Sequence, residues 1–144
     1  MRYVLIALAL AACGGRQQWP GDPALYGVDL VVVAAPGMPA FVSAPDLRDQ
    51  VRRDLELSAR YFGHDTAELI GLRIILQNDW LSGEKIGAYR PDDNTIVVAV
   101  RDFSCLGATA LPHEVLHYFI GDPNHLDPRW LRFGPLAQSI GCAL

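Results

Sequence analysis

The sequence predicts a small α+β domain. Three observations carry this reading: short β-branched runs bounded by turn residues, one stretch with apolar residues every three or four positions, and a change of hydrophobic period after Asp102. Taken in order, they give strand, helix, strand, hairpin, helix and a short tail.

The run VDLVVVAA, residues 28–35, is β-branched and ends at Pro36 and Gly37, which marks a buried strand. The next segment opens with helix signals. Ser43 can cap, Pro45 falls in the first turn where its missing N–H costs nothing, and Asp46 places negative charge near the positive helix end. Leu47, Val51, Leu55, Ala59 and Phe62 then form one apolar stripe, and Gly63 stops it. LRIIL, residues 72–76, reads as a second strand. IGAYR (86–90) and TIVVAV (95–100) flank PDDN, a strong turn signal, and so pair as an antiparallel hairpin. A last helix is expected over at least residues 110–120: with Thr109 as its cap Pro112 falls in the first turn, whereas a longer helix from Gly107 would have to tolerate a kink. Gly121 and Pro123 end it, and only a short tail is expected beyond.

The chain starts MRYVLIALALAACGG: one arginine, an apolar run and a cysteine among small residues. The run is shorter than the roughly 20 residues a membrane-spanning helix needs, and reads as a secretory signal. LAAC, ending at Cys13, resembles the lipobox of bacterial lipoproteins, which implies lipidation of Cys13 and export to the cell envelope. The expected organisation is therefore a signal peptide over 1–12, a Gly- and Pro-rich tether over 13–27 and one domain over 28–144. With Cys13 lipidated, Cys105 and Cys142 remain as a pair in a compartment that permits disulfides. They are read either as a bridge, stabilising by roughly 3 to 4 kcal/mol, or as two buried thiols. Net charge is −4 and the only lysine is Lys85, which disfavours a nucleic-acid partner, whose phosphates call for clustered Lys or Arg.

Three of the four histidines fall within HEVLHYFIGDPNH, residues 113–125. On a helix, His113 and His117 project from one face about 6 Å apart along the axis, close enough to chelate one ion. Glu114 stands beside the first of them, where a carboxylate can take a proton from a water on the ion without occupying a coordination position. Chance would place an HExxH in such a composition about 0.003 times per chain, so coincidence is a poor account of it. A catalytic zinc takes three protein ligands, and the third candidate is His125, with Asp122 and Asp127 as weaker ones. Zinc fits better than iron, whose facial site requires a carboxylate in the first shell. Arg129 is a candidate oxyanion stabiliser or the partner of a local carboxylate.

The stretch resembles the zincin metallopeptidases, and among them the metzincin arrangement of HExxH, then Gly, then His. The upstream order of strand, helix, strand and hairpin is similar too. The resemblance implies a zincin-like fold, zinc ligation by His113, His117 and His125, Glu114 as general base, and a peptide or protein substrate lying against residues 86–90 by β-addition. Two features depart from the metzincin pattern. Three residues, rather than two, separate His117 from Gly121 and Gly121 from His125, and no methionine follows Met38. The chain is thus expected to be a lipid-anchored zinc metallopeptidase of the envelope. The alternative is a catalytically silent binding module of the same fold, since the 19 residues after His125 leave little material for a cleft wall.

Overall fold

A computed structural model describes residues 16–33, 44–77, 87–99 and 105–140. The signal segment 1–12, Cys13 and Cys142 lie outside the described residues, as does the side chain of Cys105, so the lipidation and disulfide expectations are not addressed by the fold. No helix among the described residues is long and apolar enough to cross a membrane.

The elements are β1 (Arg16–Asp22), β2 (Val28–Val33), α1 (Ala44–Phe62), β3 (Arg73–Gln77), β4 (Gly87–Arg90), β5 (Thr95–Ala99), α2 (Cys105–Ile120) and α3 (Pro128–Ile140). Among the described residues, five strands form one mixed sheet in the order β1-β2-β3-β5-β4. Its centre is parallel, β2 on β3 on β5, and both edges are antiparallel. The class is α+β, as expected. Strand register builds the core directly. Leu30 pairs with Ile74 and Ile74 with Ile96, while Val32 pairs with Leu76 and Leu76 with Val98. Because alternate residues share a face, these two rows point to one side. There they pack with Leu47, Val51 and Leu55 of α1 and Ala110, Leu111 and Val115 of α2 in a single buried cluster. A second cluster joins the end of α1 to α2 and α3 through Phe62, Leu116, Trp130, Ala137 and Ile140.

Two expectations are corrected, and a third takes its longer form. Residues 16–27, expected to be tether, are part of the folded unit: β1 pairs along β2, and a 3-10 turn at Pro23–Leu25 follows. The physical reason is Asp22. Its buried carboxylate accepts from the Ala24 amide at 2.9 Å and takes a two-pronged ion pair from Arg48 of α1, one arm at 2.8 Å. The Arg48 guanidinium holds that carboxyl below its ordinary range. Helix α2 covers the expected residues 110–120 and takes the longer form, starting at Cys105 with Pro112 in its interior. The tail is a 13-residue helix, α3, with Pro135 inside it. Apolar packing of Trp130, Ala137 and Ile140 outweighs the poor local propensity of Gly134 and Pro135.

One buried ionisable group lies away from these contacts. Asp54 of α1 is 6% exposed, and burial pushes its carboxyl up to about 7 despite the neighbouring Arg53. An unfolded Asp titrates near 3.9. Between about pH 4 and pH 7 the folded chain therefore keeps a proton that the unfolded chain has lost, and stability falls as pH rises through that window. Asp54→Asn removes this loss. Melting curves from pH 4 to pH 8 should show the variant level with wild type at pH 4 and more stable at pH 8, by about 1 to 3 kcal/mol. A difference that does not grow with pH would contradict the assignment.

Candidate metal centre

Helix α2 delivers the first two imidazoles. His113 is half-buried and His117 only 7% exposed, on the helix face opposite the residues that enter the sheet core. The helix ends where Gly121, at φ 69°, donates its N–H to the His117 carbonyl at 2.8 Å. The loop that follows is organised by Asp122. Its carboxylate accepts from the amides of Asn124 at 2.9 Å and Asp127 at 2.6 Å. Those amides hold the carboxyl below its ordinary range. His125 then takes a left-handed backbone, φ 58°, which is uncommon for a non-glycine residue and turns its side chain back over α2.

The result is a cluster of three imidazoles, each offering one nitrogen within 4.8 Å of the others. His113, His117 and His125 lie close enough to hold one metal ion. Nε2 of His125 stands 3.2 Å from Nε2 of His113. Two nitrogens bound tetrahedrally at about 2.0 to 2.1 Å would be separated by roughly 3.3 Å, so this pair already has ligand spacing. His117 donates its Nδ1–H to the Asp122 carbonyl at 2.6 Å. That bond fixes the tautomer and leaves the Nε2 lone pair for a ligand, the outer-shell arrangement typical of metal-binding histidines. Burial, reinforced by the neighbouring His117 and His125, pushes His113 down to about 4, and burial likewise lowers His117. Both are neutral at pH 7, the form that binds metal. The donor set therefore fits a metal ion that takes imidazole ligands.

The loop also decides among the third-ligand candidates. Asp122 uses its carboxylate on backbone amides and its carbonyl on His117. Asp127 is bound by Arg129 through two guanidinium contacts, at 2.8 and 3.0 Å, which hold its carboxyl down at about 2. Among the described residues only the three histidines form a potential metal-binding group. The same contacts place Arg129 on Asp127, bracing the start of α3 rather than standing apart as a spare cation.

Two further residues shape the centre and were not singled out in the sequence. Trp130 lies beneath all three imidazoles, with ring centroids 5.0 Å from His113, 4.4 Å from His117 and 4.2 Å from His125. It is 5% exposed, and its indole nitrogen is buried without a hydrogen-bond partner. Its bulk is accommodated by Gly134 one turn on, where a Cβ would stand 3.2 Å from the indole. Trp130 is thus a floor that fixes the imidazoles from below, in a chain that lacks a methionine there. The second residue is Gly87, at the start of edge strand β4. Glu114, 6% exposed, lays its side chain directly over it. A glycine within a strand is the available signal for close approach of another group.

No family model, curated protein or solved structure matches the chain.

Proposed function

We propose that this chain is a zinc-dependent metallopeptidase domain, anchored at the bacterial cell envelope through lipid on Cys13, that hydrolyses peptide bonds. The observation that carries the proposal is the convergence of His113, His117 and His125 beside a buried Glu114. The zincin resemblance supports it further: a small mixed sheet with an antiparallel edge strand, followed by the HExxH helix, is the arrangement that resemblance implies.

His113, His117 and His125 would hold the ion, and His125 is the exposed one of the three. When bound, the ion supplies Lewis acidity, enough to bring the pKa of a water from about 15.7 to about 7. Glu114 would serve as the general base toward the attacking water and as the proton donor to the leaving amine. Among the described residues β4 lies at the edge of the sheet, where its main chain would offer hydrogen bonds to an extended peptide running past Glu114. Trp130 closes the side away from solvent and keeps the ligands from spreading.

The test is metal analysis of the purified protein together with cleavage of an unstructured polypeptide. One zinc per chain is expected, with cleavage stopped by a chelator and restored by zinc. Absence of bound metal would overturn the whole reading. One zinc without cleavage would leave the silent binding module as the better account.

A further inference from the structure

We infer that Gly87 is a positioning residue for Glu114: the missing side chain on the edge strand is the space that the carboxylate occupies. This rests on the proposed hydrolase for its catalytic consequence, but the contact itself does not.

The geometry follows from register. Gly87 pairs with Val98 and Tyr89 with Ile96 across an antiparallel ladder. Side chains directly opposite in such a ladder share a face, so positions 87 and 89 point toward α2 with the core rows. Helix α2 answers with Glu114 and Tyr118, one turn apart. The helix rise over four residues is about 6 Å and the strand rise over two is about 6.8 Å, so the two pairs stay in step. Tyr89 and Tyr118 meet edge to face, their centroids 5.8 Å apart. Tyr89 is further held by donating its hydroxyl to Asn94 at 3.1 Å, in the hairpin turn. With that contact setting the distance between strand and helix, the other rung has no slack. A Cβ on residue 87 would stand 2.8 Å from Oε1, 2.9 Å from Cγ and 3.2 Å from Cδ of Glu114. All three are atoms of one side chain, so relief comes by moving that side chain and not the backbone.

The functional consequence is a separation of roles. The metal ligands approach from His113, His117 and His125, none of which supplies any of the three atoms nearest to a Cβ at position 87. Gly87→Ala therefore displaces the base and spares the ligands. Misplacement of a reacting group by about 1 Å costs roughly a hundredfold in rate.

The deciding experiment is a double-mutant cycle on the metal-free protein, using Gly87→Ala, Glu114→Ala and the pair, read by thermal melting. Glu114→Ala removes the very atoms the new Cβ would meet. Gly87→Ala is expected to lower the melting temperature in the wild-type background and to leave it unchanged in the Glu114→Ala background. If Gly87→Ala alone does not fold, Glu114→Ala should restore folding. Equal losses in both backgrounds, or a double variant that still fails to fold, would overturn the contact. In the zinc-loaded protein, Gly87→Ala should keep one zinc per chain with unchanged affinity and KM, while kcat falls about a hundredfold. Unchanged kcat would overturn the positioning role. If wild type cleaves no peptide, the hydrolase reading fails, and the cycle still judges the Gly87–Glu114 contact by itself.

Discussion

Glu114→Gln should keep one zinc per chain and lose at least a hundredfold, and up to about ten-thousandfold, of peptide hydrolysis, the range typical of removing a positioned general base. The size of the effect follows from chemistry rather than from space. Glutamine has nearly the same shape as glutamate, so the pocket over Gly87 that fits one fits the other. The amide, however, has no basic oxygen able to take a proton from water. None of the three imidazole nitrogens that form the metal-binding group belongs to residue 114, so affinity for the ion should change little. The measurement is kcat/KM for an unstructured polypeptide alongside zinc content and a melting curve. A variant that hydrolyses as fast as wild type would show that Glu114 is not the base. A wild type with no activity for the variant to lose would favour a module that only binds its partner, because such a module would be indifferent to the change.

The parts of this molecule that follow period and turn rules were legible in the sequence. The apolar stripe of α1, the β-branched runs of β2, β3 and β5, and the PDDN hairpin turn all stand within a residue or two of expectation among the described residues. Local preference and tertiary packing agree there. What escaped were segments where packing overrules preference. RQQWPGD looks like a linker, yet pairs as an edge strand because Asp22 is clamped by Arg48, 26 residues away. WLRFGPLAQSI carries Gly and Pro, yet is helical because Trp130 is wedged under the histidines and Ala137 and Ile140 reach Phe62 and Leu116. The candidate site divides in the same way. His113, Glu114 and His117 were visible because helix spacing alone brings them together. His125 rested on a turn whose geometry no spacing rule supplies. Its approach depends on carbonyl and carboxylate contacts of Asp122, and the floor beneath it depends on a tryptophan with nothing in its sequence neighbourhood to mark it.

His125 therefore carries the second large prediction, and its backbone makes it unusually separable. At φ 58° a residue with a Cβ is strained, by about 1 kcal/mol relative to glycine, and the native structure tolerates this to turn the imidazole inward. Two substitutions divide the side chain from the strain. His125→Ala removes the imidazole and keeps the strained backbone, whereas His125→Gly removes both. Each leaves two nitrogen ligands, and zinc affinity should fall by well over a hundredfold, beyond the loss typical for an outer-shell partner alone. The two should differ only without metal, where His125→Gly should melt about 4 °C above His125→Ala. Zinc itself supplies an independent reading. A ligand that binds only the folded state stabilises by about 4 kcal/mol at a thousand times its dissociation constant, so zinc should raise the wild-type melting temperature clearly. In either variant the same zinc concentration, now at most about ten times the dissociation constant, should stabilise by no more than about 1.4 kcal/mol, a third or less of the wild-type effect. A full zinc shift in His125→Ala would remove His125 from the ligand set. Matching metal-free melting temperatures for the two variants would instead leave the ligand role intact and show that the left-handed turn carries no strain.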